Sequence, residues 1–326
     1  MQHTLQRLSL CVLCTTLILS LQSRSHAQFT YTFYPTDTTI NSIVETDLAI
    51  VGFAGGSYDD NFNPNFTSPT SPTVNIVAGA DISGGSNHGV GEMDIFNHST
   101  VNVSGGNVYT ITSQNSSTLN LLPGSTIGVA LSFEQSVVNM NGGDVADLEG
   151  QGKQINVGGG TVGTLVANTN TDLFGTTLGS CLVNVTGGNI TSEADAYNDG
   201  ILNLYGGQFD GNLFARFGGT INVFGHDLRA TLVNPNFNNT YSLYSLSGFL
   251  DNGTVLNDNS LFIENDGVTY GHSSFQLVNA TPEPGSIALL LAFGACSVPV
   301  LIRKRTRTGR TRSFESSTKL KKHPAF

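Results

Sequence analysis

Tryptophan is absent from the 326 residues, cysteine occurs four times, and only 12% of the residues are charged. Cys11 and Cys14 lie near the start and Cys296 in an apolar run near the finish, which leaves Cys181 alone in the body. A lone cysteine forms no internal disulfide, so the fold must rest on packing and backbone hydrogen bonds. Cys181 directly precedes the apolar pair Leu182-Val183 and reads as a small core or edge residue rather than a nucleophile. Positive charge is scarcest of all. Between Gln28 and Ala280 only Lys153, Arg216 and Arg229 are basic, against 22 acidic residues, a balance of −19. A nucleic-acid binder needs cations facing phosphate, so that class is excluded for the body. The acidity suits solubility or a loose association with divalent cations. No clustered Asp-x-Asp-x-Asp loop is present, so neither a calcium site nor another cofactor is expected. His88, His98, His226 and His272 are isolated and lack the close pairing of metal sites.

Glycine, by contrast, is abundant at 38 residues, and much of it falls in one motif. Val101-Asn102-Val103-Ser104-Gly105-Gly106-Asn107-Val108 returns as Val138 to Val145, Ile155 to Val162, Val183 to Ile190 and Leu202 to Phe209. Looser copies surround Asn75, Asn120 and Asn222, where Ala-Gly, Pro-Gly or Gly-His replaces the glycine pair. The eight motif asparagines (75, 102, 120, 139, 156, 184, 203, 222) are separated by 27, 18, 19, 17, 28, 19 and 19 positions. A period near nineteen with two longer intervals marks a solenoid carrying loops. Val101 and Val103 lie two apart and share a face, while Asn102 and Ser104 take the other. The glycine pair allows the backbone angles of a sharp corner. At ~3.3 Å per residue such a coil has a perimeter of roughly 60 Å, enough for three short faces around a core one side chain thick. The expected fold is all-β: a right-handed parallel β-helix of roughly eight ~19-residue coils, with terminal caps and a C-terminal transmembrane helix. Stacked asparagines would bond along the axis, an edge-capping role set against a row of amides contacting sugar hydroxyls.

Six segments follow from this pattern. Residues 1–27 read as a secretory signal, with Arg7 before the apolar stretch Leu8 to Leu21 and a small-x-small site ending at Ala27, so the mature chain starts at Gln28. Residues 28–72 form an N-terminal cap and a loop, the Asn-, Pro- and Ser-rich stretch Asp59 to Pro72 being the loop. Residues 73–228 are the solenoid, whose long intervals place protrusions at Ser83 to Glu92 and Asn168 to Thr177, the preferred binding candidates. Residues 229–280 form a C-terminal cap with two strands around the turn Asp251-Asn252-Gly253. Residues 281–305 hold Pro282-Glu283-Pro284, the sixteen-residue apolar run Ile287 to Ile302 and the stop-transfer cluster Arg303-Lys304-Arg305. At 1.5 Å per residue that run reaches only ~24 Å, a short span for a bilayer core of ~30 Å. Residues 306–326 are a basic tail, read as disordered.

The ending, Pro-Glu-Pro, then a short membrane segment, then Arg and Lys, resembles the PEP-CTERM sorting signal. The glycine-corner repeats followed by LSGFLDNGT are similar to repeat-bearing PEP-CTERM proteins of planctomycete type. The resemblance implies an exosortase as partner, export across the inner membrane, processing near Pro282-Glu283-Pro284, and delivery to the cell surface or matrix. On that footing the chain is expected to be a structural or adhesive surface protein without catalysis, meeting the membrane and exopolysaccharide or other envelope components. The rival is a carbohydrate-active lyase or hydrolase, since parallel β-helices host such enzymes. Hydrolysis needs two carboxylates ~5–9.5 Å apart. Asp144, Asp147, Glu149, Glu193, Asp195 and Asp210 recur at similar places in successive coils and would align on one face, whereas Arg216 and Arg229 have no recognisable partner pattern.

Overall fold

The computed structural model describes residues 31–44, 46, 48–58, 64–82, 91–171, 176–265 and 273–280. The signal segment with Ala27 and Gln28, the sorting segment with Pro282, Glu283, Pro284, Arg303, Lys304 and Arg305, the basic tail, His88, His272 and most of the 83–92 protrusion lie outside them.

The described chain is all β-strand, turn and coil, dominated by one large, mostly parallel sheet. Its first ladder is built from the motif. Thr73–Ile76, Thr100–Val103 and Thr118–Leu121 pair in parallel with each motif asparagine beside the next. The same alignment runs on through Val137–Gln151, Gln154–Ala167, Leu182–Val185, Ile201–Leu204 and Thr220–Phe237. Each pairing offset equals the spacing between motif copies, so one turn of chain separates stacked strands, an arrangement compatible with a β-helix. Val101, Leu119, Val138, Ile155, Val183, Leu202 and Ile221 point inward and are fully buried. The ladder outruns the motif at both ends. Thr38–Ile40 precedes it with Thr39 beside Asn75, and Ser274–Asn279 follows it with Gln276 beside Asn222, making ten strands among the described residues.

After five of the motif strands the chain turns at a glycine pair. Gly106 has φ +77°, and a Cβ there would lie 2.5 Å from the Ala80 carbonyl oxygen of the coil below. A short ladder of residue pairs follows, Asn107-Val108 stacking on Asp81-Ile82 and under Thr126-Ile127. One residue later the chain enters a long ladder, in which Thr110, Val129, Asp147, Thr164, Glu193 and Asn212 form one column. A third corner, rich in left-handed residues such as Asn97, Asn115, Glu134 and Asn198, returns to the first ladder. Just inside it lie Ser99, Ser117, Ser136 and Cys181, all buried. Cys181 is therefore a core residue, and burial pushes its thiol up to about 12.

At Gly225-His226 the corner fails. His226 stands where the second glycine belongs, and the strand Thr220–Phe237 carries on past it without entering the short ladder. It folds back antiparallel through Tyr241–Leu250 and Val255–Glu264 around the expected turn at Asp251-Asn252-Gly253. The last of these strands rejoins the long ladder through Leu261 beside Leu213 and Phe262 beside Phe214.

The N-terminal segment differs from expectation. Tyr31–Tyr34 and Leu48–Val51 are members of the long ladder, and Pro64–Pro69, read as loop from its composition, pairs antiparallel with Phe53–Tyr58. The hairpin carries Phe53 and Phe66 into a cluster with Phe33 and Phe96, with ring centroids 4.9–6.3 Å apart. Aromatic burial outweighs the turn-forming composition. The two prolines sit at the strand ends, where a missing N–H is tolerated.

Candidate functional site

The 28-residue interval between Asn156 and Asn184 interrupts the third corner. Ala167 ends one pass of the long ladder, Thr169–Thr171 and Thr177–Ser180 leave it as an antiparallel pair, and Cys181 restarts the first ladder. Beside this hairpin is a pocket of about 360 Å³ lined by Gln151, Asn168, Thr169, Thr177, Asn198, Asp199 and Phe217. Five of these, Gln151, Asn168, Asn198, Asp199 and Phe217, fall at the end of the long ladder in four successive coils, so the repeat itself collects them.

Hydrogen bonds orient the wall. Gln151 Nε2 and Asn168 Nδ2 both donate to Glu149 Oε1, at 2.8 and 3.2 Å. The Thr169 N–H donates to Asn168 Oδ1 at 2.7 Å, and Thr169 Oγ1 donates to the Asn198 carbonyl oxygen. Phe217 meets Tyr197 edge-on with centroids 4.8 Å apart. Its φ is +51°, a left-handed conformation that costs a residue with a Cβ roughly 1–2 kcal/mol. The Phe217 N–H is held by Glu264 Oε2 at 2.6 Å.

Behind Phe217 lies a charge cluster. Arg216 Nη2 donates to Glu193 Oε1 and Asp195 Oδ2, and the guanidinium sits 4.7 Å from the centroid of Phe214. Phe214 in turn stacks on Phe262. Burial pushes the Asp195 carboxyl up to about 6, against the lowering effect of its bond to Arg216. Burial opposes the charge on Arg216, but the bond and charge of Asp195, with Glu193, hold it above its ordinary range.

Four of the six sequence-selected acids share one face of the long ladder: Asp147 and Glu193 stand in one column, separated by Thr164, and Glu149 and Asp195 stand in the column two residues on, separated by Val166. Asp144 belongs to the short ladder, beside Thr126 and Thr161. Asp210 follows the short ladder and is held by Gln208 and Asn189, whose hydrogen bonds lower its pKa. Arg216, read as lacking a partner pattern, has two acidic partners. The missed signal was register: Arg216 stacks on Tyr197, two residues beyond Asp195 on the same face. Arg229 lies beside Ser247 in the C-terminal hairpin, and no ion pair involves it among the described residues. His98 lies in a turn, and His226 stacks on Phe249 with Nδ1 3.3 Å from Asp227 Oδ2.

Among the described residues no group of three or more His, Cys, Asp or Glu is arranged to hold a metal ion, and no helix is long and apolar enough to cross a membrane. Comparison with protein-family models, with curated proteins and with solved structures finds no match.

Proposed function

We propose that the chain is an exported, exosortase-sorted β-solenoid of the cell surface or extracellular matrix, with a structural or adhesive role and no catalysis. In this reading residues 1–27 direct export and Ile287 to Ile302 forms a transmembrane helix stopped by Arg303, Lys304 and Arg305. The exosortase acts near Pro282-Glu283-Pro284, and the body reaches exopolysaccharide or other envelope components. The solenoid is a right-handed parallel β-helix, the hand that crossovers between parallel strands adopt in ~98% of cases. The observation that carries the reading is the unbroken asparagine ladder in a chain whose sequence has a Pro-Glu-Pro, apolar, basic ending. Such a body is a rigid spacer, and such an ending is a delivery address. The lyase or hydrolase alternative draws least support from Arg216, Glu193 and Asp195, which are engaged with one another in ion pairs.

The test is the mass of the protein recovered from the surface of its native host. Peptides from residues 314–326 should be absent while those around Ile155 remain, and Glu283→Ala should hold full-length chain in the inner membrane. Intact tails in the surface fraction would mean a plain anchor. Catalysis is tested separately. Incubation with neutral or acidic polysaccharides, with or without calcium, should release no product. Release that disappears with Asp147→Asn or Asp210→Asn would favour the enzyme.

A further inference from the structure

We infer that the pocket between Gln151 and Phe217 is a binding subsite for a neutral sugar unit. This deepens the surface and matrix reading by naming a ligand class, and it rests on that reading only for where the sugar is met. At about 360 Å³ the cavity lies near the small end of the ~300–1,000 Å³ range of ligand sites, room for a short segment of glycan. Its wall mixes donors and acceptors. Thr177, Asn198 and Asp199 have side chains that make no hydrogen bond among the described residues, and the Asn168 amide is fixed by Glu149. Sugar hydroxyls donate and accept alternately, which matches amides and hydroxyls beside one carboxylate.

Phe217 supplies the other half of sugar recognition, an aromatic surface for the apolar C–H face of a pyranose. Among the described lining residues it is the one aromatic, and it is kept in a left-handed conformation where Asn, Ser, Asp and Glu serve at other third corners. Strain retained at a cavity wall points toward use of that side chain. Charge narrows the class further. Asp199 and the nearby Glu149 oppose uronates and sulfated sugars, and Glu149 Oε1 is already engaged by the amides of Gln151 and Asn168.

The experiment uses the full chain in detergent and isothermal titration calorimetry, because a protein without tryptophan offers little fluorescence signal. The probes are gluco-, manno- and galacto-oligosaccharides of two to four units, tri-galacturonate and choline. At least one neutral oligosaccharide should bind saturably. Phe217→Asn and Asp199→Gly, both compatible with positive φ, should each weaken that binding tenfold or more. Val233→Thr, on the exposed C-terminal hairpin, should leave it unchanged, and thermal melts should show all three variants folded. The inference is overturned if no neutral probe binds, if tri-galacturonate or choline binds as well as the best neutral probe, or if folded Phe217→Asn binds like the parent. Each of these results is independent of whether the tail is removed at the cell surface.

Discussion

Asn139 shows how one residue type earns its place here. Its Nδ2 donates to Asn120 Oδ1 at 3.0 Å, and its Oδ1 accepts from Asn156 Nδ2 at 2.9 Å. The same direction holds from Asn102 to Asn222, seven bonds in line, so every interior asparagine makes two bonds within the ladder and each end makes one. With a net ~1 kcal/mol per bond, Asn139→Ala should cost about 2 kcal/mol and Asn75→Ala about 1 kcal/mol in denaturant unfolding. Equal costs would show that the amides act singly rather than as a chain. Asp195 makes a second residue-scale prediction. Its carboxyl titrates at about 6 in the folded protein against an ordinary 3.8, so the fold binds that proton more tightly than the unfolded chain. The stabilisation is complete below the ordinary value and is lost as pH rises through about 6. The melting temperature of the parent relative to Asp195→Asn should therefore fall between pH 4 and 6 and level off above. A difference that does not change with pH would mean that Asp195 stays ionised throughout.

At the scale of elements, the corner matters more than the strand. A strand of four residues is extended in many contexts, but Gly105-Gly106 places the turn, and where His226 replaces the second glycine the chain passes into an antiparallel hairpin instead of the short ladder. Inserting one residue between Asn184 and Val185 turns the buried Val185 outward and displaces the Gly187-Gly188 corner. That should cost at least about 2 kcal/mol, the transfer term for one valine alone. Insertion between Asn238 and Asn239, in an exposed turn of positive φ, should shift the melting temperature little. Equal tolerance at both sites would contradict the stacked-coil arrangement. Pro64–Pro69 marks where element-level reading failed. Its composition is that of a loop, and only Phe66 meeting Phe53 and Phe96 makes it a strand.

For the whole molecule, charge is divided between a −19 body and a basic segment from Arg303 onward, which the proposed reading assigns to scaffold and delivery. The rungs, the first corner and the inward column from Val101 to Ile221 were determined by the sequence alone, because each depends on chemistry repeated every nineteen residues or so. Identical neighbours reinforce one another, so local pattern and long-range pairing agree. The Arg216 cluster and the pocket were decided only by the tertiary structure. Glu193 and Asp195 lie one coil before Arg216, and Gln151 and Phe217 are 66 positions apart. The Arg216 cluster requires knowing which residue of one coil lies over which of the next, and the pocket requires it across an inserted irregular hairpin. Periodicity carries that information only where the period is kept. Where the chain departs from it, hydrogen-bond register and burial choose the neighbours.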